Sequence, residues 1–169
     1  MSERQLDIAD MQCWVFRMAQ TKWNMSPGDC AALFKKYDIL GFISECYDIL
    51  HLNGYSCVLH DVETLLRNRG GHCMIELQDG ILLYQGVTAM ETSSYNFTDA
   101  QKESCAVSLM RDAVEALSLR DGISYEDALL RFTSSKVYEA LFDYDTGIWK
   151  EGTDYLLSLY NYCNSNQTA

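Results

Sequence analysis

Residues 26–54 read SPGDCAALFKKYDILGFISECYDILHLNG, and a degenerate copy, SYEDALLRFTSSKVYEALFDYDTGIWKEG, follows at residues 124–152. The two copies align without a gap at an offset of 98 residues. The matching positions are Ser26 with Ser124, Asp29 with Asp127, Phe34 with Phe132, Ile39 with Val137, Ile43 with Leu141, Leu50 with Ile148, and Gly54 with Gly152. Identity is low, but the coincidence of polar, apolar and glycine positions predicts an internal repeat.

Each copy has the pattern of two short helices. The Ser-x-x-Asp start offers a hydroxyl to the free amides of a first helical turn and a carboxylate to the positive end of the helix dipole. Apolar residues such as Ile39, Ile43 and Leu50 then recur at the spacing of an amphipathic helix. We expect Gly54 and Gly152 to end the second helix, since glycine adopts the left-handed conformation without steric cost.

A longer helix is predicted before each copy. Residues 6–23 carry an apolar stripe, and the later segment opens on a capping signal at Thr98 and closes at Asp121-Gly122. The repeat unit therefore has three or four helices. The predicted fold class is mainly α, with two tandem helical subdomains and one short β-hairpin between them.

The hairpin is predicted where the helical rhythm stops. Gln78-Asp79-Gly80 lies between two apolar runs within residues 73–85, and Asp-Gly in that setting is a strong hairpin signal. Residues 55–59 are expected to be extended before a further helix. The predicted organisation is residues 1–70 as the N-terminal repeat, 71–97 as hairpin and connector, 98–163 as the C-terminal repeat, and 164–169 as a frayed tail.

Composition limits the classes of partner. The chain has 169 residues, is 48% hydrophobic and has one proline, so it is expected to fold rather than stay disordered. Its net charge of −11 argues against nucleic acid and anionic membranes and favours a basic protein partner. No apolar run approaches the ~20 residues of a membrane span, and the start MSERQLDIADMQ lacks signal-peptide features. We therefore expect a cytoplasmic protein.

Metal and cofactor sites are not predicted. The seven cysteines form no Cys-x-x-Cys pair, and most are expected to be buried thiols rather than disulfides or ligands. His51 with Asp48 and His60 with Asp61 are the only other candidates for metal binding, and the second copy keeps neither histidine. No cofactor is expected.

His72-Cys73 is the one candidate for thiol chemistry. A cysteine nucleophile needs a nearby base, but adjacent residues on a strand point to opposite faces. We therefore predict no catalytic residue. A small-molecule-binding protein or thiol enzyme that uses this region stays open as the alternative.

The second copy departs from the first in residues 143–155, which read DYDTGIWKEGTDY. Here Trp149 takes the position of His51. The predicted partner-binding residues are Asp143, Tyr144, Asp145, Trp149, Glu151, Asp154 and Tyr155, because aromatic anchors inside an acidic rim suit a pocket on a basic protein. In the alternative interpretation, Trp149 and Tyr155 cap a small C-terminal core while the acidic side chains face water.

The first copy resembles a small bacterial domain family of unknown function, found mainly in anaerobic gut bacteria. The resemblance covers residues 18–66 and is carried by Met-Ser-Pro at 25–27, YDILGFI at 37–43, CYDILH at 46–51 and the following Asn53-Gly54. Members of that family are often encoded beside proteins that resemble ADP-ribosyltransferases. The resemblance thus implies a helical antitoxin or immunity-like partner of a transferase-like toxin, with no catalytic residues to carry over.

Overall fold

The computed structural model describes residues 1–70 and 97–165, and both ranges are mostly helical. Their α-helices are α1 Glu3–Lys22, α2 Pro27–Lys36, α3 Ile39–Leu50, α4 Tyr55–Asn68, α5 Asp99–Asp121, α6 Tyr125–Thr133, α7 Lys136–Phe142 and α8 Thr153–Ser165. Two short 3-10 turns, Tyr144–Thr146 and Ile148–Lys150, lie between α7 and α8. The prediction of a mainly α fold is confirmed. These ranges contain no β-strand, and the hairpin predicted around Asp79 lies outside the described residues.

The capping signals act as the sequence predicts. The backbone amide of Asp29 donates to Ser26 Oγ at 3.1 Å, and the amide of Asp127 donates to Ser124 Oγ at 3.0 Å. Thr98 forms a reciprocal capping box with Gln101 at the start of α5. Each hydroxyl satisfies an amide that has no partner within its own helix, which fixes where the helix begins.

The role predicted for Gly54 and Gly152 is wrong. Gly54 has a φ of −70° and precedes α4 as its N-cap, while α3 has already ended before His51. The carbonyl of Gly152 likewise accepts from the first turn of α8. Both glycines therefore begin a helix rather than end one. Gly122, with a φ of 65°, does end α5 in the left-handed conformation.

Two other local predictions are corrected. Residues 55–59, expected to be extended, form the first turns of α4. In the second copy, the second helix was expected to continue to Gly152, but α7 ends at Phe142 and the two 3-10 turns follow. There the Asp143 carboxylate accepts from the Asp145 amide, and the Thr146 hydroxyl donates to the carbonyls of Ala140 and Asp143. Such local side-chain bonds compete with the helical ladder and end it.

The two halves have the same helix order and similar packing, although α7 packs against α8 while α3 and α4 make little contact. α2 and α6 begin at residues 27 and 125, and α4 and α8 begin at residues 55 and 153, which are the positions that the offset of 98 predicts. α1 packs against the other three helices of its half, as α5 does in the second. Between the halves, α1 contacts α5 and α2 contacts α6. Each of these helices therefore meets its own counterpart.

One continuous hydrophobic core serves both halves. Phe16 of α1 lies at its centre, with its ring centroid 5.0 Å from that of Phe34 and 5.9 Å from that of Tyr138 in α7. Edge-to-face aromatic contacts of this kind add to the free energy gained from burial. The two predicted subdomains thus share the interior that stabilises them.

The cysteines of the described residues differ in burial. Of the six cysteines in the described ranges, Cys13 and Cys30 are buried, but Cys57 and Cys105 are exposed, so the expectation of buried thiols fails for that second pair. None of the six forms a disulfide.

No helix within residues 1–70 or 97–165 has the length and apolarity of a membrane span.

Phe34→Ala and Phe132→Ala should each lower the free energy of unfolding by about 3–5 kcal/mol, because both rings are fully buried and truncation leaves a cavity. Leu119, which is 77% exposed, provides the control, and Leu119→Ala should cost less than about 0.5 kcal/mol. Urea denaturation measures all three. A loss below about 1 kcal/mol for either phenylalanine would contradict its place in the core.

A fragment of residues 1–70 should show no cooperative thermal transition by circular dichroism. Without α5 and α7, the face of α1 around Phe16 is exposed to water, and too little apolar surface remains buried to offset the loss of conformational entropy. Mixing it with a fragment of residues 97–165 should restore the transition. A stably folded 1–70 fragment would show that the halves are independent.

Candidate functional site

An open groove of about 500 Å³ lies along α1 where the turn between α3 and α4 meets α5. We call it the acidic groove. Its lining is Leu6, Asp7, Asp10 and Met11 from α1, Tyr47 and His51 from the end of α3, Asn53 and Gly54 from the turn, Tyr55 from α4, and Arg111 from α5. The groove is therefore built mainly by the first half of the chain and closed by one residue of the second.

Asp10 is the polar centre of this groove. Arg111 donates from Nη1 to Asp10 Oδ1 at 3.1 Å, and the Tyr55 hydroxyl donates to Asp10 Oδ2 at 3.2 Å. Arg111 also donates from Nε and Nη2 to Asp112. Partial burial opposes the charge of Arg111, but the bonds to Asp112 and then Asp10 raise its pKa overall. Both oxygens of Asp10 and the guanidinium are thus engaged within the protein.

Tyr55 is held in its neutral form. Burial, followed by the charge of Asp10 and the hydrogen bond to it, raises the pKa of Tyr55 to about 12. Its ring stacks on Trp14 with centroids 6.2 Å apart. The phenol is a hydrogen-bond donor to the carboxylate at neutral pH, so it acts as a structural group and not as a base.

The thiol of Cys13, on α1, is fully buried. Cys13 Sγ is 3.2 Å from the Tyr125 hydroxyl, which belongs to α6. Burial raises the pKa of Cys13 to about 12, and burial also raises that of Tyr125. Because the thiolate is the reactive form, Cys13 is unsuited to nucleophilic chemistry.

Tyr47 and His51 form one wall of the acidic groove. They are four residues apart on α3, their rings stack at 5.1 Å, and His51 Nδ1 lies 2.9 Å from the Tyr47 carbonyl oxygen. The Arg4 guanidinium lies 5.8 Å from the centroid of the Tyr47 ring and donates to Asp48 at 2.8 Å. This wall therefore shows an aromatic face and a carboxylate holding a guanidinium.

Negative charge exceeds positive charge around the groove. Arg111 pairs with Asp10 and Asp112, and Arg4 pairs with Asp48. Asp7 adds a fourth carboxylate to the lining. Burial raises the pKa of Tyr47, and the negative charge of Asp7 raises it further. The groove thus suits a cationic ligand better than an anionic one.

The predicted C-terminal site is brought together only in part. We call its exposed members Asp143, Asp145, Glu151, Asp154 and Tyr155 the C-terminal acidic surface. Tyr144 is half-buried, with Lys102 5.7 Å from its ring centroid. The carboxylates and Tyr155 are accessible to a partner.

Trp149 is not available as an exposed anchor. It is only 5% exposed, its ring packs edge-on against Phe97 at 5.2 Å, and its indole N–H donates to the Tyr144 carbonyl at 3.1 Å. Trp149 belongs to the second 3-10 turn, and its indole is part of the hydrophobic core. The alternative interpretation, in which this tryptophan caps the C-terminal core, is correct for Trp149. Tyr155, at 51% exposure, stays outside that core.

Neither His51 with Asp48 nor His60 with Asp61 belongs to a metal-binding cluster in the described residues. His72-Cys73 lies outside the described residues. Within residues 1–70 and 97–165, no three His, Cys, Asp or Glu side chains lie close enough together to hold a metal ion. His60 Nδ1 lies 4.0 Å from the buried carboxylate of Glu63, which the Trp23 indole and Lys22 also bind.

The acidic groove was missed at the level of sequence, although part of its signal was present. Tyr47 and His51 are spaced by four residues and Asp7 and Asp10 by three, so each pair shares a helix face. Nothing local placed these two faces opposite each other. Arg111, more than a hundred residues away from Asp10, carried no signal at all.

Comparison with known proteins places a family domain in this region. Residues 10–69 match a family model described as "Protein of unknown function (DUF3791)". The match runs from within α1 to the end of α4 and confirms the resemblance to a domain family of unknown function. No curated protein and no solved structure matches the chain.

Stability should fall as pH rises from about 10 to about 12, in part through Tyr55. In that window the folded protein keeps a proton on Tyr55 that the unfolded chain, with a pKa of 10.0, releases. Ionisation therefore favours unfolding, and the contribution is complete only below about pH 10. Urea denaturation across this range should show a smaller alkaline loss for Tyr55→Phe than for the wild type. Tyr162→Phe, at an exposed position, should behave like the wild type; equal losses in all three would contradict the assignment.

Proposed function

We propose that this chain, with its domain of unknown function in residues 10–69, is a non-catalytic binding module for a basic protein partner. The observation that carries the proposal is the acidic groove, in which carboxylates and tyrosine rings line one accessible cleft of a protein with a net charge of −11. Aromatic side chains give contact area at low entropic cost, and carboxylates attract a cationic surface.

The resemblance supplies the first partner to test. In that family the neighbouring gene often encodes a transferase-like protein, and an antitoxin or immunity-like protein neutralises a toxin by binding it. A transferase that grips a dinucleotide needs a cationic groove for its phosphates, and an acidic protein surface is complementary to such a groove. On this proposal, the protein acts in the cytoplasm by occlusion and needs no cofactor.

Two acidic surfaces compete as the binding site, and matched charge reversals separate them. Asp7→Lys with Asp48→Lys changes the acidic groove, and Asp143→Lys with Asp145→Lys changes the C-terminal acidic surface by the same net charge. All four side chains are exposed, so both double variants should fold. Circular dichroism and thermal melting check this before binding is measured.

The groove variant should bind the neighbouring gene product about tenfold more weakly, with slower association mainly at low salt. The C-terminal variant should stay within about twofold of the wild type. Affinity and association rate are measured by biolayer interferometry at two salt concentrations, and co-expression tests whether each variant still suppresses toxicity. If the wild type neither binds nor protects, the proposed function is wrong. If only the C-terminal variant loses affinity, the site lies on that surface.

A further inference from the structure

We infer that a second pocket, formed between the two halves, binds a primary ammonium group. This amine pocket is an open space of about 450 Å³ lined by residues of α1, α3, α5 and α6. It shares no lining residue with the acidic groove. The inference goes beyond the proposed function, because it assigns a further site and does not depend on a basic protein partner.

Gln12 of α1 is a buried polar residue in the lining of the amine pocket, and it is only 1% exposed. Its amide nitrogen Nε2 donates to the Leu40 carbonyl at 3.0 Å and to Ser44 Oγ at 2.9 Å. These two acceptors use both N–H groups of the amide and fix the direction in which it faces. The carbonyl oxygen Oε1 of Gln12 accepts no hydrogen bond from the described residues.

The unpaired Oε1 atom is in contact with the pocket. Within the part of the chain that the structure describes, every fully enclosed side-chain nitrogen or oxygen has a hydrogen-bond partner. Because Oε1 has none, it must reach accessible space, and Gln12 lines the amine pocket. A ligand that brings a donor to this oxygen would complete its hydrogen bonding.

Glu126 of α6 places a half-buried carboxylate beside this oxygen. Its Oε1 accepts from Ser44 Oγ at 3.2 Å and lies 3.3 Å from Gln12 Nε2. Its Oε2 accepts no hydrogen bond within residues 1–70 and 97–165, and no cationic side chain there pairs with it. Two unmet acceptors, one of them charged, therefore lie in one small cluster.

The other charged groups of the amine pocket are already paired. Glu115 binds the Met1 ammonium at 3.3 Å, and Arg4 binds Asp48 at 2.8 Å. Among the described charged residues of the lining, Glu126 alone is left without an opposite charge. A ligand with a single positive charge would balance it, and an anion would be repelled.

A primary ammonium group on a hydrocarbon stem fits these groups. It is a compact positive charge with three rotatable N–H donors and no acceptor, which suits a cluster of closely spaced acceptors. Ile8, Ala9 and Leu119 also line the pocket and offer apolar contact to the stem. A metal ion would lack ligands, because no three His, Cys, Asp or Glu side chains converge in the described residues.

The test titrates the full chain with n-butylamine and follows the side-chain NH₂ signals of Gln12 by ¹H–¹⁵N NMR at neutral pH. Butylamine should shift these signals to saturation. The control cation n-butyltrimethylammonium has the same charge but no N–H donor, so it should bind about tenfold more weakly. A third probe, Nα-acetyl-lysine methylamide, separates the two sources of the group: binding as tight as that of butylamine indicates a lysine side chain, and weaker binding indicates a free amine.

Matched variants locate the site. Glu126→Gln keeps the size of the side chain but removes its charge, so it should weaken butylamine binding about tenfold. Ser44→Ala removes the hydroxyl that joins Gln12 to Glu126 and should weaken binding about threefold. Glu139→Gln removes the same charge from an exposed position on α7 and should stay within about twofold of the wild type. Circular dichroism checks that each variant folds.

Three results would overturn the inference. They are no shift of the Gln12 signals with either amine, equal affinity for butylamine and butyltrimethylammonium, and equal losses for Glu126→Gln and Glu139→Gln. The comparison of the two cations uses the wild type, so it decides the question even if Glu126→Gln unfolds. Because no protein partner is present, failure of the amine pocket is distinct from failure of the proposed function.

Discussion

The packing of α1 against α5 is the interaction on which the rest of the structure depends. α1 contacts every other helix of the first half and, through Phe16, also reaches Tyr138 of α7. Polar contacts of α1 also join the two halves: Arg17 pairs with Glu103 of α5, and Gln12 donates to the Glu126 carboxylate of α6. Because apolar burial is the dominant stabilising term, the core that both halves share couples the stability of one half to that of the other.

The acidic groove depends on the packing of α1 against α5. The domain matched in residues 10–69 supplies most of its lining, but Arg111 comes from α5 and holds Asp10 in place. Without Arg111, the Tyr55 hydroxyl would be the one hydrogen-bond partner left to this carboxylate among the described residues. The second half thus completes the polar wall of a cleft that belongs largely to the first.

The two halves differ where the groove lies. At an offset of 98 residues, Asp145 takes the position of Tyr47 and Trp149 that of His51. Tyr47 lies on α3, whereas Asp145 and Trp149 lie on the two 3-10 turns that follow α7. The Trp149 indole is buried there and packs against Phe97. The first half therefore carries the acidic groove, and the segment at the positions offset by 98 residues forms the C-terminal acidic surface.

The sequence alone determined the helical class, the matching order of elements and the helix starts at Ser26, Thr98 and Ser124. These features depend on hydrogen bonds within three residues and on the period of apolar positions, both of which are local. The tertiary structure alone decided that Trp149 is buried and that Arg111 binds Asp10. The exposure of a ring and the partner of a charge depend on which surfaces meet across the core, and residues separated by about a hundred positions carry no local signal of their contact.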